Sequence, residues 1–203
     1  MILLPQNIVP MKYILTILSF CFIFFYSQAQ PPTVDPFSSK KSIVVPTKNY
    51  DHLPKFKQFS KEYNPSEHII APIEPFDLKS LMETRNRMFI IDTREIEEFE
   101  VSHIQGAKQV SYETFTAEKI WMFDENTTII LYSTDGERSA HVAAYMKSMG
   151  FADVRVVSGS IIGWVNAGYP VVDKEGKVSK YVMVNDKTEA KELRKGKAFF
   201  AEK

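Results

Sequence analysis

Ile129-Ile130-Leu131-Tyr132-Ser133-Thr134-Asp135-Gly136-Glu137-Arg138-Ser139 is the stretch on which the fold turns. An apolar run breaks off into a short polar loop with one glycine, and a pattern of helical spacing, Ser139 to Met149, starts at once. That order predicts a strand, a tight loop and a helix. The loop amides and the helix N-terminus then face one spot, an arrangement suited to an anion or a reactive sulfur.

Working outward, short apolar runs alternate with helical patterns. His68-Ile69-Ile70, Phe89 to Asp92, Gln109-Val110, Ile129 to Tyr132 and Val154 to Val157 read as strands, short and apolar as in a parallel sheet covered on both faces. Asp77 to Met82, Ile96 to Val101, Ala117 to Ile120, Ser139 to Met149 and Ile161 to Ala167 read as helices, with Gly150 and Gly168 at helix stops. The expectation is an α/β fold with a central parallel sheet and helices on both faces.

The loop resembles the active-site loop of the rhodanese family, in which the first loop residue is a cysteine that carries a persulfide. Here that residue is Ser133. Ile90 to Phe99 followed by Ser102-His103-Ile104-Gln105-Gly106-Ala107 is similar to the family's opening signature, with Ser102 where a glycine is more usual. Val157 to Val171 is similar to the closing signature, with Ser160 where a second glycine is common. The three motifs stand in the family's order over Glu74 to Val172, and the resemblance implies a single rhodanese-like domain at residues 68–173.

A sulfurtransferase needs a polarizable, low-pKa thiolate, and a serine hydroxyl titrates far above neutral pH. No catalytic residue is therefore expected, and Ser133, Thr134, Asp135, Gly136, Glu137 and Arg138 form a degenerate active-site loop. For Ser133 to act as a nucleophile itself it would need a base, and the sequence names none. His103 reads as a turn residue bonded to backbone, and His141 as a surface or packing residue. Asp135 and Glu137 oppose anion binding in so small a cradle. Arg138 thus either pairs with its neighbours, Asp92 or Glu95, or faces a ligand. The resemblance implies that Asp92 and Arg94 form a structural pair ordering the loop, with His103 also supporting it. The chain reads as an inactive sulfurtransferase homologue, a binding or scaffold module for a protein or a small anionic ligand. An enzyme using the Ser133 to Arg138 pocket is the alternative. No cofactor or metal is expected.

The remainder of the 203 residues adds context. Lysine plus arginine and aspartate plus glutamate balance at 25 each, which gives no support for a nucleic-acid partner. Lys12, the apolar run Tyr13 to Tyr26 and Ser27-Gln28-Ala29 read as a signal peptide over residues 1–29, with Met11 as an alternative start, so the protein is expected to be exported, periplasmic or extracellular. The single cysteine, Cys21, lies in that run, so the mature chain should hold no thiol. Membrane attachment would come only from an uncleaved leader or lipidation at Cys21. Residues 30–67 read as a proline-rich linker contributing little to the core, with Ile43-Val44-Val45 or Phe56 as the places where it would wrap on the domain, and 174–203 as a charged extension. In that extension a hairpin reaches Tyr181-Val182-Met183-Val184, and Lys187 to Lys197 is a solvated helix-prone stretch.

Overall fold

In the computed structural model, which describes residues 55–84, 87–120 and 123–201, the apolar runs form a five-stranded parallel sheet of order β1-β5-β4-β2-β3. The strands are β1 (Ala71–Ile73), β2 (Met88–Asp92), β3 (Lys108–Gln109), β4 (Thr128–Tyr132) and β5 (Val154–Val157). Strand side chains alternate between faces. Ile91, Ile129 and Leu131 enter one core, while Ile90, Ile130 and Tyr132 enter the other. Full burial of each such aliphatic side chain stabilises the fold by roughly 1.5–3 kcal/mol, which is why the run apolar on both faces takes the central position.

Helices α1 (Phe56–Glu62) and α4 (Glu137–Ser148) cover the first face through Phe56, Val142, Ala143 and Met146. Helices α2 (Pro75–Glu83), α3 (Ile96–Val101) and α5 (Ser160–Asn166) cover the second through Leu78, Phe99 and Trp164. Because β4 is central, the loop after it opens at the carboxyl edge of the sheet, where open parallel sheets place their sites.

Several boundaries differ from the sequence expectation. The first strand is Ala71–Ile73 rather than His68 to Ile70. The Asn64 side chain accepts the Ser66 amide at 3.1 Å and its carbonyl meets His68 Nδ1 at 3.2 Å, a turn that leaves Ile69 85% exposed. Pro72 is tolerated in β1 because that strand is an edge. Helix α2 starts two residues early, with Pro75 in its first turn where a missing amide costs nothing. The third strand begins at Lys108, and Ala117–Lys119 is a 3-10 turn rather than an α-helix.

The end of the expected linker is part of the core. Phe56 packs against the rings of Tyr112, Phe115 and Tyr145 with centroids 5.3, 4.6 and 5.4 Å away. Residues 1–29 with Cys21, and the linker as far as residue 54, lie outside the described residues.

The C-terminal segment also packs. Asp173 Oδ1 accepts the amides of Glu175 and Lys177 at 3.0 and 2.9 Å and closes a hairpin of β6 (Val171–Val172) and β7 (Val178–Ser179). The next strand, β8 (Tyr181–Met183), does not extend that hairpin. It pairs in parallel with β9 (Lys197–Phe199) across α6 (Lys187–Glu192), whose first amides are capped by Asp186. Val182 and Val184, two apart on one side of the chain, are buried in the core that holds Trp164.

Candidate functional site

Strand β4 is pinned to β2 where the loop begins, since the Thr93 amide and hydroxyl donate to the Tyr132 carbonyl at 2.9 and 3.1 Å. Ser133 follows and is fully buried. Its amide donates to Ser160 Oγ at 2.9 Å, its carbonyl accepts from the Ile161 amide at 3.2 Å, and its Oγ accepts the Gly136 amide at 2.9 Å. Gly136 turns the chain into α4 with φ 117°, a conformation that favours glycine. Asp135 Oδ1 accepts the Glu137 amide at 3.1 Å. Two donors that a helix N-terminus normally leaves open are thus occupied by side chains of the loop itself.

Ser160 is part of this arrangement. It is the one described non-glycine residue with a positive φ, 53°, and it is fully buried. That conformation costs a serine roughly 1–2 kcal/mol. The Ser133 hydrogen bond offsets it. The sequence signal was present, a serine where a glycine is common, but it points to backbone conformation and says nothing of a bond to the loop.

Arg138 pairs with neither its neighbours, Asp92 nor Glu95. It makes a two-pronged contact with Glu98, Nη1 to Oε2 and Nη2 to Oε1, both at 2.7 Å, and Nη2 also reaches Thr134 Oγ1 at 2.9 Å. Thr134 Oγ1 donates to Glu98 Oε1 at 3.0 Å, and Glu98 Oε2 accepts the Glu95 amide at 3.0 Å. Burial pushes the Glu98 carboxyl up, but Arg138 outweighs it and holds the group below the usual carboxylate range. Glu95 instead engages the Ser111 hydroxyl and the Glu113 amide. Glu98 is absent from the site read in the sequence, although Glu95-Ile96-Glu97-Glu98 carries the spacing of a capping box at the start of α3.

Asp92 and Arg94 are both fully buried and joined, with Arg94 Nε 3.0 Å from Asp92 Oδ1 and Nη2 2.6 Å from Oδ2. Nη2 also donates to the Ser102 carbonyl at 2.6 Å, so the pair ties the end of β2 to the end of α3. Burial opposes the Arg94 charge, yet Asp92 holds its pKa above the ordinary value. Arg94 Nη1 and Ser102 Oγ are buried without a hydrogen-bond partner. His103 stacks on Phe99 with centroids 3.7 Å apart, and its backbone bridges Val172 at 2.8 and 2.9 Å. It therefore fastens α3 to β6 rather than the loop. His141 Nδ1 lies 2.7 Å from Tyr112 Oη, and burial lowers its pKa. Neither histidine is hydrogen-bonded to Ser133 Oγ. No group of three potential metal ligands occurs among the described residues.

Residues 74–167 match the family model of the rhodanese-like domain, and they form such a domain. The chain is 28% identical over 101 residues to the probable adenylyltransferase/sulfurtransferase MoeZ of Mycobacterium tuberculosis, covering 49% of this chain and 26% of that protein. It is 30% identical over 106 residues to the tRNA uridine(34) hydroxylase of Bacillus pumilus, covering 50% of this chain and 33% of the relative. The chain thus spans about a quarter to a third of the length of these curated relatives. Among solved structures, a rhodanese-like domain protein from Staphylococcus aureus is similar at 26% identity and a TM-score of 0.46, covering 52% of this chain and 99% of that one.

Proposed function

We propose that the rhodanese-like domain of residues 74–167 is catalytically degenerate and serves an exported protein as a binding module for a protein partner, without thiosulfate sulfurtransferase activity. The observation that carries this reading is the state of Ser133. A persulfide carrier must offer its sulfur to a donor and an acceptor in turn, which requires an accessible thiolate. At this position stands a buried hydroxyl that accepts a loop amide and so acts as an internal cap.

The rest of the loop supports the same reading. Arg138, the residue that would face a bound anion, spends its guanidinium on Glu98 and Thr134. Asp135 adds a negative charge and takes a further amide. A small anion entering the loop would have to displace a desolvated ion pair, whereas a protein partner can use the loop rim with those bonds intact. Export rests on the leader-like sequence of residues 1–29.

Turnover of thiosulfate and cyanide by the full chain tests the proposal. The expected rate equals the protein-free blank. Turnover above it that survives Cys21→Ser would overturn the proposal, because the loop would then be transferring sulfur without its cysteine.

A further inference from the structure

Two concavities lie along the seam between α5 and the C-terminal segment. The larger, about 370 Å³, adjoins the loop and is lined by Asp135, Lys191, Glu192 and Arg194 among others, so its two acids and two bases balance. The smaller, about 260 Å³, lies past the other end of α5 and has a different character. Val165, Pro170 and Val171 give it apolar wall, Lys180 and Lys195 supply positive charge, and no acidic residue lines it.

Among the described residues neither lysine has an ion-pair partner. Lys180 Nζ lies 5.4 Å from the centroid of the Tyr181 ring, a contact that orients an ammonium without cancelling it. Lys195 Nζ rests over Gly168, 3.1 Å from the place where a β-carbon would stand. Gly168 has φ 95°, so glycine there serves both the turn after α5 and the approach of the ammonium. The surrounding sequence biases the field the same way. Residues 174–203 hold nine lysines and arginines against five aspartates and glutamates, in a chain that is neutral as a whole.

We propose that this cavity binds a small amphipathic anion, a carboxylate carried on a compact apolar body, with the carboxylate held between Lys180 and Lys195 and the body against Val165, Pro170 and Val171. The volume admits a single-ring acid and is below that of a drug-sized pocket. The site is remote from the Ser133 loop in sequence, and the proposal does not depend on whether that loop is active.

Amide shifts of Gly168 and Gly196 in the full chain, followed during titration with benzoate, benzyl alcohol and inorganic phosphate, test it. Benzoate is expected to give saturable shifts at both glycines. Lys195→Gln should weaken binding about fivefold, Lys195→Arg should restore it, and Lys187→Gln on α6 should leave it unchanged. Absence of saturation with benzoate, equal affinity for benzyl alcohol or phosphate, or benzoate binding unaffected by Lys195→Gln would each overturn the assignment.

Discussion

Glu98→Gln removes the negative charge opposite Arg138 while keeping the volume of the side chain. The glutamate side chain is 5% exposed and the arginine 21%, so the variant leaves a largely desolvated guanidinium facing a neutral amide. Breaking a buried pair from one side costs about 3–5 kcal/mol, and the partial exposure of Arg138 brings the expectation to about 2–3 kcal/mol. The amide also cannot accept at both ends, so Thr134, Arg138 and the Glu95 amide compete for the one remaining oxygen. Urea denaturation of the full chain would read this as a lower midpoint with an unchanged slope. The pH dependence gives a second reading. Arg138 depresses the Glu98 pKa in the folded state, so the stabilisation is fully present above the unfolded value near 4.5 and is lost as pH falls through the lower folded value. Glu98→Gln should remove that acid-side slope. A loss below about 0.5 kcal/mol, or an unchanged acid slope, would refute the view that this pair holds the loop.

Ser160→Ala keeps the left-handed backbone but loses the acceptor for the Ser133 amide, and it should cost about 1–2 kcal/mol in the same denaturation assay. Ser160→Gly, which also relieves the conformation, should cost less than the alanine variant. Ser102→Ala removes a buried hydroxyl without a partner from a residue in extended conformation, and should raise stability by about 1 kcal/mol. Phe56→Ala should lower stability by about 3 kcal/mol and the melting temperature by about 6–12 °C, read by thermal denaturation, because the ring is enclosed by three others. Burial lowers the His141 pKa in the fold, so its contribution is complete above the unfolded value near 6.5 and declines as pH falls toward the lower folded value. His141→Gln should remove that slope from a stability profile measured between pH 5 and pH 8 (the interval of about one unit or more on either side of an ordinary histidine pKa).

The sheet was legible because Ile129 to Tyr132 is apolar on both faces, and a run of that kind reads as a central parallel strand. The loop was legible because polar residues and a glycine interrupt that run just before a helical pattern. What binds the loop was not. Glu98 lies 40 residues from Arg138, and nothing in the local spacing of either reveals the pair, whereas the Asp92–Arg94 pair is what the family resemblance implies. Phe56 is legible as a contact with the domain but helix α1 is not, because Phe56 and Phe59 are apolar residues in an otherwise polar stretch preceded by prolines. The parallel pairing of β8 with β9 is illegible for the same kind of reason. Two buried valines carry the strand, and three-residue runs hold too little periodicity to separate a hairpin from a crossover.

In the loop after β4 the Gly136 and Glu137 amides and the Arg138 guanidinium are already engaged, so the most direct measurement is a thiosulfate titration of the full chain that follows the Gly136 amide and the Arg138 guanidinium resonances. The Gly136 amide is bonded to Ser133 Oγ and the guanidinium to Glu98, so no saturable shift is expected at either. Saturable shifts at both groups in the millimolar range would contradict it, because the cradle would then still receive the anion that a sulfurtransferase uses.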